Sequence, residues 1–349
     1  MTELPPDRRW ATPATLETRA AVQSLLGDLR KGDRILVACS GGPDSLALAA
    51  AAQFVGSQLG LEVGAVIVDH QLQERSAEVA ADAGQACVAF GLDPVVVAAV
   101  DVTGPGGPEA AARRARYDLL EAMAVRLKAK AVLLGHTRED QAETVLLRIA
   151  RGSGTRTLAA MQSINGIFRR PLLNVSRSVV HASAADEGAA LGLVAWQDPH
   201  NSDPRFTRVR VRNALDRLED ALGPGLVAGL ARTAELAHED ALALEGWADR
   251  AFEQVVTFHD EGMEAAVGDL EQLPKAVRTR ILRRMCLDMG APTDAITFAH
   301  VQSLDEFIVN WHGQGAISLP ARVSARRRYG RLILTAPDST LDAGDPVAT

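Results

Sequence analysis

Short apolar runs alternate with longer amphipathic stretches over the first 150 residues. Apolar runs of this length, bounded by turn residues, predict buried strands, and the stretches between them have helical spacing. The predicted strands are 34–39, 62–69, 94–100 and 131–134, and the predicted helices are 45–58, 74–90, 109–128 and 138–149. This alternation is typical of a parallel sheet with helices on both faces and right-handed crossovers. We therefore predict a doubly wound α/β domain.

The pattern changes after residue 150, where arginine becomes frequent. Further predicted features are a mobile loop at 151–157, an arginine-rich loop at 198–213, helix at 215–252 with a break at 223–225, two helices within 272–310, and strands at 316–319, 322–328 and 331–334. The predicted domains are an α/β catalytic domain at 1–217, a helical linker at 218–256, a mostly helical α+β domain at 257–337 and a disordered tail at 338–349.

Composition narrows the class of protein. A chain of 349 residues that is 47% hydrophobic can bury a substantial core. Cys39, Cys87 and Cys286 are far apart in sequence, which disfavours a disulfide scaffold, a zinc ribbon or an iron–sulfur site and fits a reducing cytoplasm. The first ten residues contain no apolar signal core, and no stretch has the length and apolarity of a membrane span. We expect a cytoplasmic protein without a membrane segment.

The first predicted strand leads into a glycine turn at the start of a helix. Its residues are Ser40, Gly41, Gly42, Pro43, Asp44 and Ser45. Backbone N–H groups in such a turn bind anions, glycines let the backbone approach phosphate oxygens, and serine hydroxyls add donors. Asp44 would repel phosphate unless a cation lies between them, and magnesium would resolve that conflict. The alternative is a tight turn in which Asp44 and Ser45 only cap the helix.

Ligands of such sheets bind beyond the carboxyl ends of the strands. The phosphate turn lies there, as do Asp69 and His70 after the second strand and Gly135 and His136 after the fourth. We therefore expect these residues to border one site.

The turn resembles the phosphate loop of the N-type ATP pyrophosphatases, or PP-loop enzymes. These enzymes split ATP between the α- and β-phosphates and transfer AMP to an oxygen of their substrate. The turn lacks the lysine of the common ATP-hydrolysing loop. The resemblance accounts for this, because it implies that the turn holds the pyrophosphate portion of ATP. Thiolases, synthetases and amidotransferases share the loop, so the loop alone does not select among them.

Five further stretches narrow the family. They read Val-Ile-Val-Asp-His-Gln-Leu at 66–72, Glu-Ala-Ala-Ala-Arg-Arg-Ala-Arg-Tyr at 109–117, Gly-His-Thr-Arg-Glu-Asp-Gln-Ala-Glu-Thr at 135–144, Arg-Pro-Leu-Leu at 170–173, and Asp-Pro-His-Asn-Ser-Asp-Pro-Arg-Phe-Thr-Arg-Val-Arg-Val-Arg at 198–212. In this order they resemble the tRNA(Ile)-lysidine synthetases, strongly over residues 30–215 and weakly beyond.

That resemblance implies a ligase that uses ATP and magnesium. Enzymes of this family adenylate the ring carbonyl of the wobble cytidine in an isoleucine tRNA with a CAU anticodon, and free L-lysine then displaces AMP through its amine. An amine with a reference pKa of ≈ 10.4 must lose a proton before it attacks. The expected partners are this tRNA and free L-lysine, and a homodimer would be unsurprising.

The motifs also imply roles for single residues. The expected catalytic residues are Asp44, Arg113, His136 and Asp140. Asp140 is expected to hold the lysine ammonium or, with Asp44, magnesium. The resemblance further implies contacts of Arg113 and Arg116 with ATP phosphate or tRNA, and contacts of Arg208 and Arg212 with phosphate or the target nucleotide.

Plainer roles compete with these assignments. His70 and His136 could cap helices, and Asp140 could be a first-turn acid favoured by the helix dipole. Arg113 and Arg116, which share a helix face, could form a solvated basic surface.

The sequence departs from the family pattern at three places. Residues 71–73 read Gln-Leu-Gln where the family usually has Gly-Leu-Arg, so no arginine role carries over there. Glu139 replaces the first of two aspartates, and Val209 stands where an asparagine is common.

Basic charge is concentrated in two segments although the net charge is −7. Residues 151–217 contain ten arginines against five acidic residues, and residues 275–331 contain ten basic against four acidic residues. Such segments can form a phosphate footprint, and the alternative is pairing with the acidic remainder of the chain. We expect Arg326 and Arg327 to contact tRNA.

Three other classes remain open. The first is another enzyme of the same fold. A tRNA thiolase would need cysteine pairs and a GMP or NAD synthetase would need its own substrate motifs, and we see neither in the sequence. A noncatalytic nucleotide-binding module would not need the arginine-rich segments. A structural RNA-binding protein that has lost activity would not need the intact loop or Asp140.

Overall fold

The computed structural model describes residues 11–71, 75–103, 107–152, 155–260 and 262–336. The chain divides into two compact units that meet between His238 and Glu239. The predicted disordered tail at 338–349 lies outside the described residues, as do Leu72 and Gln73.

The first unit is built on a six-stranded sheet of order β3-β2-β1-β4-β6-β5. All neighbouring strands are parallel except β5, which pairs antiparallel with β6. The strands are β1 Arg34–Cys39, β2 Glu62–Asp69, β3 Val95–Ala99, β4 Ala129–Leu134, β5 Ile164–Asn165 and β6 Phe168–Arg169. The helices of this unit are α1 Pro13–Ser24, α2 Pro43–Leu59, α3 Ser76–Phe90, α4 Pro108–Arg126, α5 Arg138–Ala150, α6 Thr155–Leu158, α7 Arg177–Ala189 and α8 Thr207–Leu222, with α9 Leu226–Val255 crossing into the second unit.

Apolar layers cover both faces of this sheet. On one face β1 and β2 pack against α1, α2, α3 and α7 through residues such as Ile35, Leu48 and Val180. On the other face Leu36 and Leu134 pack against α4 through Leu120. The predicted doubly wound fold is therefore confirmed, and its strands are buried on both sides as parallel strands require.

The second unit contains a five-stranded antiparallel sheet of order β7-β8-β11-β10-β9. Its elements are β7 Val256–His259, β8 Gly262–Ala266, α10 Val267–Gln272, α11 Lys275–Asp288, α12 Phe298–Val309, β9 Ile317–Ser318, β10 Ser324–Arg328 and β11 Arg331–Thr335. Its hydrophobic core is formed by side chains from the end of α9, from α11 and α12, and from the sheet. A buried ion pair, Arg278 Nε to Asp305 Oδ1 at 2.6 Å, ties α11 to α12.

Two sequence expectations differ from this fold. The arginine-rich loop expected at 198–213 ends early, because α8 begins at Thr207 and places Arg208 and Arg212 on a helix. The mobile loop expected at 151–157 gives way to α6 at Thr155, while residues 153–154 lie outside the described part. Within the described ranges, no helix is long and apolar enough to cross a membrane.

Candidate active site

The glycine turn joins β1 to α2 at the carboxyl edge of the sheet. Gly42 is the N-cap of α2 and Pro43 occupies its first position, where a missing N–H costs nothing. Gly41 adopts φ +80°, and a Cβ there would lie 3.1 Å from the Ala83 Cβ. Its carbonyl accepts a hydrogen bond from the Trp196 N–H at 2.9 Å. The contacts of Gly41 with Ala83 and Trp196 therefore fix the backbone of the turn.

The two serines of the turn have different environments. Ser45 is buried, and its hydroxyl donates to the Gly42 carbonyl at 2.9 Å and accepts from the Ser40 N–H at 3.1 Å. Ser40 is exposed. We therefore assign the Ser45 hydroxyl to holding the turn, which leaves Ser40 as the hydroxyl that can reach a phosphate.

Gly135 brings the end of β4 against the first turn of α2. A Cβ on Gly135 would lie 3.1 Å from the Asp44 carbonyl oxygen, which is closer than nearly all real Cβ contacts. This close approach places His136 and helix α5 beside the turn.

The Asp44 carboxylate lies at this edge and makes no helix-cap hydrogen bond. Its Oδ1 is buried and has no well-aligned hydrogen bond among the described residues. The Nε2 atom of His181 on α7 lies 3.1 Å from Oδ1. Because α7 packs along α2, this histidine is fixed near the turn. Asp44 is therefore an available oxygen ligand rather than a helix cap.

Asp140 combines a structural and an electrostatic role. Its Oδ2 accepts hydrogen bonds from the Thr137 N–H at 2.8 Å and the Thr137 hydroxyl at 3.1 Å, which completes a capping box for α5. Its Oδ1 accepts from Arg177 Nη2 at 2.9 Å. Burial raises the pKa of Asp140, but Arg177 and His136 outweigh it and the net pKa is lowered. Asp140 is thus a helix cap whose other oxygen already binds a cation.

Glu143 lies one helical turn after Asp140 and is only 2% exposed. Its Oε1 is 2.9 Å from Arg212 Nε and 3.4 Å from Arg177 Nη2, while Oε2 is buried with no partner. Burial and the neighbouring Asp140 raise the pKa of Glu143, against the effect of Arg212. A buried carboxylate oxygen without a donor is costly, so this oxygen marks a place where a ligand donor fits.

A cluster of cations lies beside these carboxylates. Helix α4 supplies Arg113 and Arg116, β6 is followed by Arg170, and α8 supplies Arg208. Arg113 and Arg170 donate to the Tyr117 hydroxyl at 3.3 and 3.2 Å. Burial lowers the pKa of Arg116, and Arg113 and Arg208 lower it further against the opposing effect of Tyr117. Arg116 is partly buried within this cluster, whereas Arg113 and Arg114 on the same helix are exposed.

Two histidines face this cluster in their neutral form. Burial lowers the pKa of His136 to about 3, aided by Arg116 and Arg170 and opposed by Asp140. Burial and Arg116 also lower the pKa of His70. The Nδ1 atoms of both rings are buried without a partner. Thr137, not His136, is the N-cap of α5, so His136 is left with a ring nitrogen that can bind a ligand.

Asp69 orders the end of β2. It is buried, and its Oδ1 accepts a hydrogen bond from the Gln71 N–H at 2.9 Å, which turns the chain after His70. Asp69 lies at the sheet edge, where it can border the nucleotide pocket. Its Oδ1 is already hydrogen-bonded to the Gln71 N–H.

Two cysteines that are distant in sequence meet beneath the turn. Cys39 and Cys87 are buried, and the Cys39 thiol donates to the Ser45 hydroxyl at 3.5 Å. The neighbouring Cys87 thiol, with the Ser45 hydroxyl and the Gly41 N–H, lowers the pKa of Cys39 to about 7 against the effect of burial. Sequence spacing gave no sign of this pair.

A cavity of about 510 Å³ opens behind the turn, between α3 and the segment around Trp196. Apolar residues make up most of its wall, and the described lining residues do not include His136, Asp140 or Glu143. Gly41 of the phosphate turn is one of the lining residues, so the cavity adjoins the turn.

The two arginines expected to bind tRNA are oriented differently in the second unit. Arg327 Nη1 donates to the carbonyls of Phe307 and Ile308 at 2.6 and 3.1 Å, and its guanidinium lies over the Trp311 ring. Arg326, its neighbour on β10, faces the opposite side of the strand. Arg327 thus satisfies the C-terminus of α12, and Arg326 is the better candidate for a ligand contact.

Comparison with known proteins identifies the family. Residues 14–218 match the PP-loop domain and residues 266–333 match the TilS substrate binding domain. The chain is 51% identical over 325 residues to the tRNA(Ile)-lysidine synthase of Thermobifida fusca, covering 93% of this chain and 98% of that protein. It is 49% identical to the Streptomyces coelicolor tRNA(Ile)-lysidine synthase, covering 86% and 84%. The chain belongs to the tRNA(Ile)-lysidine synthase family.

Structural similarity supports the fold beyond this family. The U34-tRNA thiolase NcsA of Methanococcus maripaludis matches with a TM-score of 0.53 and 21% identity, covering 65% of this chain and 80% of that one. At this identity the match supports the shared PP-loop fold alone.

The structure brings together most of the residues that the family motifs predicted for the site. The turn, His70, Gly135, His136, Asp140 and the arginines 113, 116, 208 and 212 all belong to the sheet edge of the first unit. Sequence reasoning missed Glu143, Arg177 and His181. Glu143 lay inside a quoted motif, whereas the other two are on α7, whose Ser176 N-cap and small buried residues at 180, 183, 184 and 188 were the available signals.

Proposed function

We propose that this protein is a tRNA(Ile)-lysidine synthetase that adenylates the wobble cytidine of an isoleucine tRNA with a CAU anticodon and then attaches free L-lysine. The observation that carries this proposal is the set of buried polar atoms without a hydrogen-bond partner at one sheet edge, on His70, His136 and Glu143, together with the Asp44 carboxylate, whose Oδ1 contacts His181. They lie beside a phosphate turn in a protein of this family. A cytoplasmic location follows from a tRNA substrate.

The cationic cluster supports the first step. The ring carbonyl oxygen of cytidine attacks the α-phosphate of ATP, and pyrophosphate leaves. Arg113, Arg116 and Arg208 are placed to stabilise the negative charge that develops on phosphate. Neutral His136 and His70 add ring nitrogens without more positive charge, so they can hydrogen-bond the nucleotide. Ser40, Gly41, Gly42 and the first turn of α2 hold the pyrophosphate portion.

Magnesium fits Asp44 better than Asp140. Asp44 Oδ1 lies next to the phosphate turn with a single protein contact, His181 Nε2 at 3.1 Å, whereas both oxygens of Asp140 accept hydrogen bonds within the protein. Within the described ranges, no cluster of three His, Cys, Asp or Glu side chains could hold a metal, so phosphate oxygens would complete the coordination. When bound, magnesium supplies charge neutralisation between Asp44 and the phosphates.

The carboxylates of α5 support the second step. The lysine amine attacks the activated ring carbon, and AMP leaves with the carbonyl oxygen. Asp140 and Glu143 provide negative charge for a lysine ammonium, which would compete with Arg177 for these oxygens. Glu143 Oε2 is the candidate acceptor of the amine proton, because a carboxylate with a raised pKa is a stronger base. A homodimer stays a prediction.

Labelled ATP tests the order of these steps. With ATP labelled at the α-phosphate and no lysine, the proposal expects label to accumulate on the isoleucine tRNA. Addition of L-lysine should then release the label as AMP. If tRNA acquires no label and ATP still binds, the chain carries out a different AMP transfer. A transcript in which the wobble cytidine is changed to uridine is the matched control.

A further inference from the structure

The tip of the β10–β11 hairpin carries a residue that its backbone disfavours. Arg328 pairs with Arg331, so Tyr329 and Gly330 alone form the connection. Both have positive φ, at 49° and 74°. Two-residue turns with positive φ at both positions favour Asn-Gly, because a bulky side chain is strained in the left-handed region. Tyrosine at the first position therefore has an energetic cost that asparagine would avoid.

Burial of the Tyr329 side chain does not offset this energetic cost. Tyr329 is 89% exposed, the most exposed aromatic side chain in the described part of the chain. Its ring makes one recorded contact, with the Arg328 guanidinium 5.0 Å from the ring centroid. The hairpin thus exposes an aromatic ring next to the Arg328 guanidinium. Replacing Tyr329 with a residue that tolerates positive φ would relieve the backbone strain. Strain that local packing does not explain is typical of functional positions.

The surrounding charge indicates what the ring meets. Arg326 and Arg328 point to the same face of β10, and Arg322 precedes the strand. An aromatic ring beside arginines binds unpaired nucleotides, since every base can stack on it while the cations contact phosphate.

We infer that Tyr329, with Arg328, is a stacking platform for an unpaired nucleotide of the tRNA. The inference rests on the proposed function for the identity of the RNA. It goes beyond it by assigning a base contact to a hairpin whose arginines alone would indicate only phosphate contacts. A fully paired RNA offers no free base at such a tip, so the contact favours the single-stranded parts of tRNA.

Tyr329→Asn separates binding from folding. Asparagine suits the turn, so the variant should unfold at the same or a higher temperature than the wild type. Loss of one base stack should weaken binding of full-length tRNA by about 5- to 100-fold. Binding of a blunt RNA duplex should be unchanged. Tyr329→Phe, which keeps the ring, should bind tRNA within about twofold of the wild type.

Trimmed RNAs locate the nucleotide. If the platform meets the single-stranded 3′ end, removing that end should weaken the wild type and leave Tyr329→Asn unaffected; if it meets a loop, trimming should affect both proteins equally. Unchanged tRNA binding by Tyr329→Asn would overturn the inference. Equal weakening toward tRNA and duplex would also overturn it, because the residue would then act through phosphate contacts. Lysine transfer by the wild type is measured separately, so failure of the proposed function is distinguishable.

Discussion

The two units use their charged side chains in opposite ways. In the first unit, charged and polar groups from separate elements converge at one sheet edge, and buried atoms of His70, His136 and Glu143 lack hydrogen-bond partners there. In the described part of the second unit, the two buried charged side chains, Arg278 and Asp305, pair with each other, and the partly buried Arg327 donates to the end of α12. Several unsatisfied polar groups converging beside a phosphate turn are where a ligand fits, whereas a buried pair such as Arg278 and Asp305 serves the fold. The number of arginines in a segment does not distinguish the two.

The largest effect is expected at Asp44. Asp44→Asn removes the charge that would hold magnesium, so adenylation should fall by about 1,000-fold or more while the fold is retained. The measurement is label transfer from ATP to tRNA, with circular dichroism as the folding check. Asp269→Asn, an exposed first-turn acid of α10 in the other unit, should have no effect. Full adenylation by Asp44→Asn would refute the assignment of the turn.

Glu143→Gln should separate the two steps. Loss of one buried charged contact should lower the second-order rate constant for lysine by about 30- to 150-fold, with adenylation little changed. Glu139→Gln is the matched control from the same helix, because the Glu139 carboxylate accepts the Arg177 N–H at 2.8 Å and an amide oxygen can do the same. Equal losses in both steps for Glu143→Gln would mean that Glu143 only supports the fold.

His136 should make stability depend on pH. Its folded pKa of about 3 lies below the unfolded value of about 6.5, so the unfolded chain binds more protons in this window. Stability is complete above pH 6.5 and is lost as the pH falls toward 3, with about 2 kcal/mol lost between pH 7 and 5. In urea unfolding, His136→Gln should lose less free energy of unfolding between pH 7 and 5 than the wild type, by about 2 kcal/mol. His238→Gln serves as control, and identical pH profiles for His136→Gln and wild type would contradict the burial of His136.

Arg326→Ala and Arg327→Ala should differ although the residues are adjacent. Arg326→Ala should weaken tRNA binding and reduce the salt slope by about one without loss of stability. Arg327→Ala should destabilise the protein by about 1–2 kcal/mol, since two carbonyls lose their donor. Salt-dependent tRNA titrations and thermal unfolding of both variants are the measurements. An unchanged salt slope for Arg326→Ala would remove it from the footprint.

Much of the fold was predictable because parallel strands leave a local signature. β1 and β2 were predicted with their observed bounds, and the break between α8 and α9 at residues 223–225 was also predicted. The start of α8 was not, because arginine and valine alternate at 208–212 with the period of a strand and only Val209 and Leu215 of this helix are buried. Helix α7 was missed because its buried stripe consists mainly of small residues.

The site was predictable only where a motif carried it. Ser40, Asp44, His136 and Asp140 follow from sequence, since each lies at the end of a strand or the start of a helix. Arg177 and His181 act through tertiary packing of α7 on α2, which no local pattern encodes. The capping bonds of Asp140 and the α12 contact of Arg327 likewise depend on geometry, so their double roles needed the structure.

Incorporation of labelled lysine tests the central claim most directly. Unmodified isoleucine tRNA with the CAU anticodon is incubated with the protein, ATP, magnesium and labelled L-lysine, and methionine tRNA with the same anticodon is the control. The account predicts label in the isoleucine tRNA alone. No label in either tRNA, with ATP still bound, would contradict the proposed reaction while leaving the fold and the phosphate turn in place.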